Sequence, residues 1–192
     1  MLGRIRKKFP RATLLGFDVI EHALRLTSDR ALDAQLVCGS ADQLPFEDAA
    51  FDVVLSLDVI CHRTVNDRLA LEEMHRVLRM GGILIVNLPA FAFLRGSHDV
   101  AVDTARRYVR KQLAQLLTAV GFNIEKLTYW NMILLPVVAV KRWASRGQTH
   151  SDLAPPSRLT NGTLGAIAQF EFALGRRISL PFGTSLFAIA RK

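Results

Sequence analysis

LEEMHRVLRMGGILIVNLP, residues 71–89, joins a helical pattern to an unbroken apolar run through a pair of glycines. Ala70, Met74, Val77 and Leu78 recur at helical spacing and predict one apolar face on a helix from about Val65 to Met80. Gly81 and Gly82 are expected to stop that helix. The run from Gly82 to Leu88 has no polar alternation before Asn87, so it reads as a strand covered on both faces. A helix feeding directly into such a strand is the repeating unit of a parallel sheet, because parallel neighbours need a crossover between them.

The same unit recurs on both sides. Upstream, Phe51–Leu57 (FDVVLSL) is a second buried strand, and Thr13–Asp18 and Gln35–Gly39 are shorter ones, with helical pattern through Ala31 between them. Downstream, Val109, Leu113, Leu116, Leu117 and Val120 mark a helix closed by Gly121, and Asn123–Trp130 follows as a strand. The alternation predicts an α/β fold with a mostly parallel, doubly wound sheet. It breaks at Met132–Trp143, which is apolar with a basic end. A polar, Pro-containing loop (145–158), a helix from about Asn161 to Arg177 and a terminal strand, Thr184–Arg191, complete the chain. One domain over residues 1–192 is expected, with an inserted helical lid at about 132–177.

Composition narrows the function. The chain has 192 residues, and Lys+Arg 25 against Asp+Glu 17 gives 25 − 17 = +8. With 50% apolar and 22% charged residues it is neither disordered nor fibrous. Cys38 and Cys61 cannot build a disulfide framework, so a reduced, cytoplasmic compartment is expected. The longest apolar run, Met132–Val140, has nine residues and contains Pro136, well short of the ~20 that span a bilayer. MLGRIRKKFPR is basic but lacks the apolar core of a secretory leader. The positive charge suits nucleic acid, anionic lipid or an acidic substrate equally; the low aromatic content and the lack of a recognition motif argue against nucleic acid.

Asp18 ends its strand, where open α/β sheets bind ligands; there an acid either holds ribose hydroxyls or caps the next helix. In their order, LLGFDVIEHAL (14–24), GSADQLPFEDAAFDVV (39–54), residues 71–89 and SLPFGTSLFAIARK (179–192) resemble the class I S-adenosylmethionine-dependent methyltransferases, in particular small bacterial ones related to quinone methyltransferases. The resemblance implies a Rossmann-like sheet with an antiparallel closing strand and S-adenosylmethionine as cofactor. It places Asp18 on the ribose, Val19 and Ile20 beside the adenosyl group, Ser40 and Ala41 along the adenine edge, and Leu57 and Asp58 on the methionine and methyl side. Ser40 stands where the family often has Asp, and Met80 where it commonly has Pro.

One family element is missing. The glycine-rich turn, an acid followed by Gly-x-Gly, ends the first strand ~20 residues before the ribose acid. Only 17 residues precede Asp18, with just Gly3 and Gly16 among them, so residues 1–11 read as the helix after that turn. The resemblance thus implies an N-terminally truncated sheet whose central first strand is not encoded here. The two strands left with open edges then close on each other, pair with another chain, or mark a misplaced start. Without the loop, cofactor affinity is expected to fall severely.

Methyl transfer from a sulfonium is an in-line displacement that needs positioning and, for an oxygen or nitrogen acceptor, a base. His98 is the candidate base and Asp99 its orienting partner, ahead of Arg106-Arg107-Tyr108; the alternative is a polar loop capping a helix. Cys61-His62 are adjacent and lack a third member, which disfavours covalent catalysis. His22, His62, His75, His98 and His150 show no metal-ligand spacing, so no metal is expected. Arg4, Arg6, Lys7, Lys8 and Arg11 read as a solvated helix face. Met132–Trp143 either lies at a membrane interface as a peripheral contact or packs as a lid; both suit a small, hydrophobic, lipid-like acceptor. The expected function is methyl transfer to such an acceptor. The alternatives are a non-catalytic methyltransferase-like subunit that folds with a partner, a homo-oligomer being one open form, and a nicotinamide-binding reductase.

Overall fold

The computed structural model describes residues 2–28, 33–144 and 158–192. Helix α1 (Leu2–Lys8) leads into strand β1 (Leu15–Asp18), followed by α2 (Glu21–Ser28) and β2 (Gln35–Cys38). Then come β3 (Phe51–Leu57), α3 (Asp67–Val77), β4 (Leu78–Pro89), a 3-10 turn (Ala92–Leu94) and α4 (Ser97–Ala101). The chain continues through α5 (Arg110–Val120), β5 (Asn123–Trp130), α6 (Leu135–Ala144), α7 (Arg158–Arg177) and β6 (Ser185–Arg191). The expected loop at 145–158 lies almost wholly outside the described residues.

Helix α3 starts where Asn66 accepts the backbone N–H groups of Arg68 and Leu69 at 3.1 and 3.2 Å. It ends at Val77, three residues before the expected stop at Met80. The reason is tertiary: Leu78 is fully buried and pairs with Phe51, so β4 captures the chain before the glycines are reached. Gly81 and Gly82 lie within a register shift that brings Ile83 opposite Val53.

The strands form two sheets. β1 pairs in parallel with β2, and a separate four-stranded sheet has the order β3-β4-β6-β5. β3 and β4 are parallel, while β6 is antiparallel to both β4 and β5. Among the described residues no strand lies between β1 and β3, and these two edges do not close on each other. They meet through aromatic side chains instead: Phe46 contacts Phe17 of β1 at 5.7 Å and Phe51 of β3 at 5.1 Å between ring centroids.

The faces of the larger sheet are unequal. Leu84, Val86 and Leu88 of β4 and Leu186, Ala188 and Ala190 of β6 are buried with α3 and α5 packed over them. Register puts Val53, Leu55, Ile83, Ile85 and Ile189 on the opposite face. There Val53 and Leu55 remain 48% and 39% exposed, an unusual state for parallel strands, which are ordinarily covered on both sides. At β5 this face is covered, where the Lys126 ammonium donates to the Gly175 carbonyl of α7.

Candidate active site

Parallel pairing and the β6 connections send the chain out of β3, β4 and β5 at one end of the sheet. The loop after β2 joins that end: the Asp42 carboxylate accepts the Asn66 N–H at 3.0 Å. Asp18, Ser40 and Asp58 thus all follow carboxyl ends of strands that face the same way. Asp18 and Gly39 are tied directly, by a 3.1 Å hydrogen bond from the Gly39 N–H to the Asp18 carbonyl.

Around Asp18 the geometry serves both sequence readings. Its Oδ1 accepts the Ile20 N–H at 2.9 Å, which shapes the entry into α2, and among the described residues Oδ2 has no hydrogen bond. Val19 and Ile20 are 64% and 59% exposed beside it, whereas Ala41 is buried and Ser40 lies at the surface. Asp18 thus keeps one carboxylate oxygen open to accept a hydrogen bond, next to two exposed apolar residues. Among the described residues the sheet is interrupted between β1 and β3.

Leu57 and Asp58 end β3. Asp58 has φ of 55°, a left-handed conformation that costs energy for a residue with a side chain. Two contacts with Asn87 of β4 hold it there: its N–H donates to the Asn87 carbonyl at 2.8 Å, and the Asn87 amide donates to its Oδ1 at 3.3 Å. Asn87 was missed in the sequence, although one polar residue inside GILIVNL was the available signal. Desolvation raises the Asp58 pKa and outweighs the lowering effects of the Asn87 hydrogen bond and of the charges on His62 and Arg107.

A test of this balance follows. The folded carboxyl holds its proton above the ordinary value of 3.8, so its contribution to stability falls as pH rises through the interval between the unfolded and folded values. Replacing Asn87 by alanine removes a lowering contact and is expected to move the Asp58 midpoint further up. Carboxyl-carbon NMR titration reads it; a wild-type midpoint at or below 3.8 contradicts the description.

On the acceptor side, His98 is exposed on α4 and Asp99 is buried. Asp99 Oδ1 takes hydrogen bonds from Arg107 Nε and Nη2 at 2.9 and 2.7 Å, and its Oδ2 takes the Gly96 N–H at 2.8 Å. Arg107 also donates to the Ala90 carbonyl at 2.7 Å, which pins the loop to the end of β4. Arg106 donates to the carbonyls of Ile60, His62 and Val65, and the Tyr108 hydroxyl to Asp67 at 3.0 Å. The Arg-Arg-Tyr triplet is therefore the fastening between this loop and the segment after β3. Cys61 is buried, and burial together with the Asp58 charge pushes its thiol up to about 11, so it stays protonated at neutral pH. No cluster able to hold a metal occurs among the described residues.

An open α/β sheet with an acid, a serine and a second acid at its strand ends has the Rossmann-like architecture. Residues 2–86 match the family model described as a methyltransferase domain. The chain is 33% identical over 125 residues to the malonyl-[acyl-carrier protein] O-methyltransferase of Herminiimonas arsenicoxydans, covering 62% of this chain and 46% of that one. It is 35% identical over 106 residues to the demethylmenaquinone methyltransferase of a Mycobacterium species (strain KMS), covering 54% and 43%. The chain thus spans less than half the length of these relatives. In fold it resembles the structure of a complex between the Haloferax volcanii Trm112 methyltransferase activator and a methyltransferase. That likeness has a TM-score of 0.65 at 16% identity and covers 99% of this chain and 76% of that one.

Proposed function

We propose that this chain carries the adenosine-binding and acceptor-facing parts of a methyltransferase that acts on a small, apolar acceptor. The observation that carries this reading is that Asp18, Ser40 and Asp58 lie at the carboxyl ends of parallel strands in the two sheets, with the loop after β2 tied to the segment after β3. When bound, S-adenosylmethionine supplies an electrophilic methyl group on a sulfonium. Asp18 holds the ribose hydroxyls, Val19 and Ile20 lie against the adenosyl group, Ser40 and Ala41 border the adenine, and Leu57 and Asp58 face the methionine side. His98, exposed at the rim, takes the acceptor's proton. Asp99 positions His98 by holding α4 in place through Arg107. The names of the relatives, which give malonyl-[acyl-carrier protein] and demethylmenaquinone as acceptors, support a methyl acceptor outside nucleic acid.

The glycine-rich turn is absent from residues 1–192, so calorimetric titration of this chain with S-adenosylmethionine is expected to show weak binding or none. Saturation-transfer NMR at millimolar ligand is then expected to show adenosine protons contacting the protein and to lose that signal in Asp18→Ala. Micromolar affinity refutes the need for the turn; a signal unchanged in Asp18→Ala removes the ribose assignment.

A second reading is favoured by the interrupted sheet. The open edges of β1 and β3, with Val53 and Leu55 exposed beside them, suit a methyltransferase-like subunit completed by a partner's strand. The absence of any adenosine contact at millimolar ligand would favour it.

A further inference from the structure

Six large apolar side chains stand in solvent at the site end of the sheet: Phe93, Val100, Val102, Ile133, Val140 and Phe170, exposed by 61, 73, 41, 42, 66 and 62%. They come from four elements or their margins: the 3-10 turn, α4, α6 and α7. Internal contacts join these elements. Phe91 stacks on Tyr129 of β5 at 4.9 Å and lies 5.4 Å from Phe93, which seats the 3-10 turn beside the end of β5. Helix α6 packs on that turn, and the Glu171 carboxylate of α7 accepts the Ile133 N–H. The Asp99–Arg107 pair fixes α4 to the end of β4. Phe93, Val100 and Val102 therefore form an exposed apolar rim on the segment after β4, and they stay exposed although α6 packs on the 3-10 turn.

The charge around the rim is one-sided. Residues 90–111 contain five basic residues (Arg95, Arg106, Arg107, Arg110, Lys111) and two acidic ones, a balance of 5 − 2 = +3. Both acids are neutralised internally, Asp99 by Arg107 and Asp103 by Arg63 at 3.1 Å. Arg95 and Lys111 are exposed. Among the described residues no helix is long and apolar enough to cross a membrane. Protruding apolar groups set among unpaired basic ones are the pattern of interfacial attachment: the former enter the acyl boundary and the latter meet anionic headgroups.

We propose that this rim docks on an anionic lipid surface, with Phe93 and Val100 inserted and the mouth of the site turned toward the bilayer. The proposal deepens the reading of an apolar acceptor and rests on it, because a mouth in that position takes an acceptor dissolved in the membrane without its passing through water.

The test is co-sedimentation of the full chain with vesicles of phosphatidylcholine alone or of phosphatidylcholine mixed with anionic phosphatidylglycerol. Binding is expected only to the anionic vesicles and to weaken at least tenfold at high salt, where headgroup attraction is screened. Phe93→Asp with Val100→Asp is expected to lower partitioning at least tenfold while circular dichroism stays native. Leu55→Ser on the open face of β3 is expected to leave it unchanged. Equal binding to both vesicle types, no binding to either, loss of binding in Leu55→Ser, or native binding by the double variant overturns the proposal. Self-association through Phe93 and Val100 in sedimentation velocity does so too, since it makes the rim an interface between copies. None of these readouts uses S-adenosylmethionine, so failure of lipid docking is distinct from failure of the cofactor site.

Discussion

Replacing Arg107 by methionine is expected to destabilise the chain by about 3–5 kcal/mol, because it leaves the Asp99 carboxylate buried without its cation. The two side chains are 6% and 3% exposed and 2.7 Å apart, so neither can turn to water when the other is lost. The loss extends to the Ala90 carbonyl, whose donor is also Arg107. Asp99→Leu should cost a similar amount by stranding the guanidinium. The double change, Arg107→Met with Asp99→Leu, should recover most of the loss, since a buried pair replaced by apolar groups of like volume is often neutral. Urea unfolding midpoints measure all three. Single variants within about 1 kcal/mol of wild type would mean that the pair is hydrated in solution.

Gly183→Ala is expected to cost about 3 kcal/mol or more, at the upper end of what overpacking does. A Cβ at Gly183 would sit 2.2 Å from the Trp130 carbonyl oxygen and 2.9 Å from its nitrogen, and backbone atoms cannot swing aside as a side chain does. The strain falls on the register that pairs Trp130 with Ser185, where β6 enters the sheet. Gly165→Ala is the matched control: within helix α7 its Cβ meets nothing within 4 Å, and alanine there is expected to stabilise by about 0.5–1 kcal/mol. Thermal midpoints moving in opposite directions confirm the contrast; a Gly183→Ala protein as stable as wild type refutes the close approach.

The legible parts of the sequence were those governed by local rules. Phe51–Leu57 and Asn123–Trp130 were readable to the residue, because apolar strand patterns there are bounded by turn residues. Gly121 marked the end of α5, and its φ of 104° is the left-handed conformation that a glycine stop needs. The end of α3 was not legible, since it depends on Leu78 being claimed by Phe51, 27 positions away. In the candidate site, Asp18 was singled out from its place at a strand end, and Ser40 and Asp58 only through the family resemblance. The partners that set their chemistry, Asn87 for Asp58 and Arg107 for Asp99, come from other elements, and no spacing rule links them.

By itself the amino-acid order determined the alternation of strand and helix, the acids at strand ends and the want of a glycine-rich turn, because each depends on side-chain periodicity or on a residue type at a known offset. Tertiary structure alone decided that the sheet divides between β1 and β3 and leaves one face of β3 bare. It also decided that Asp99 is buried against Arg107, and that Phe93, Val100 and Val102 stay exposed on the segment after β4. Those outcomes depend on which edges find partners and which surfaces find cover. Both are settled by long-range packing, where each contact must outweigh the entropy of bringing distant parts of the chain together.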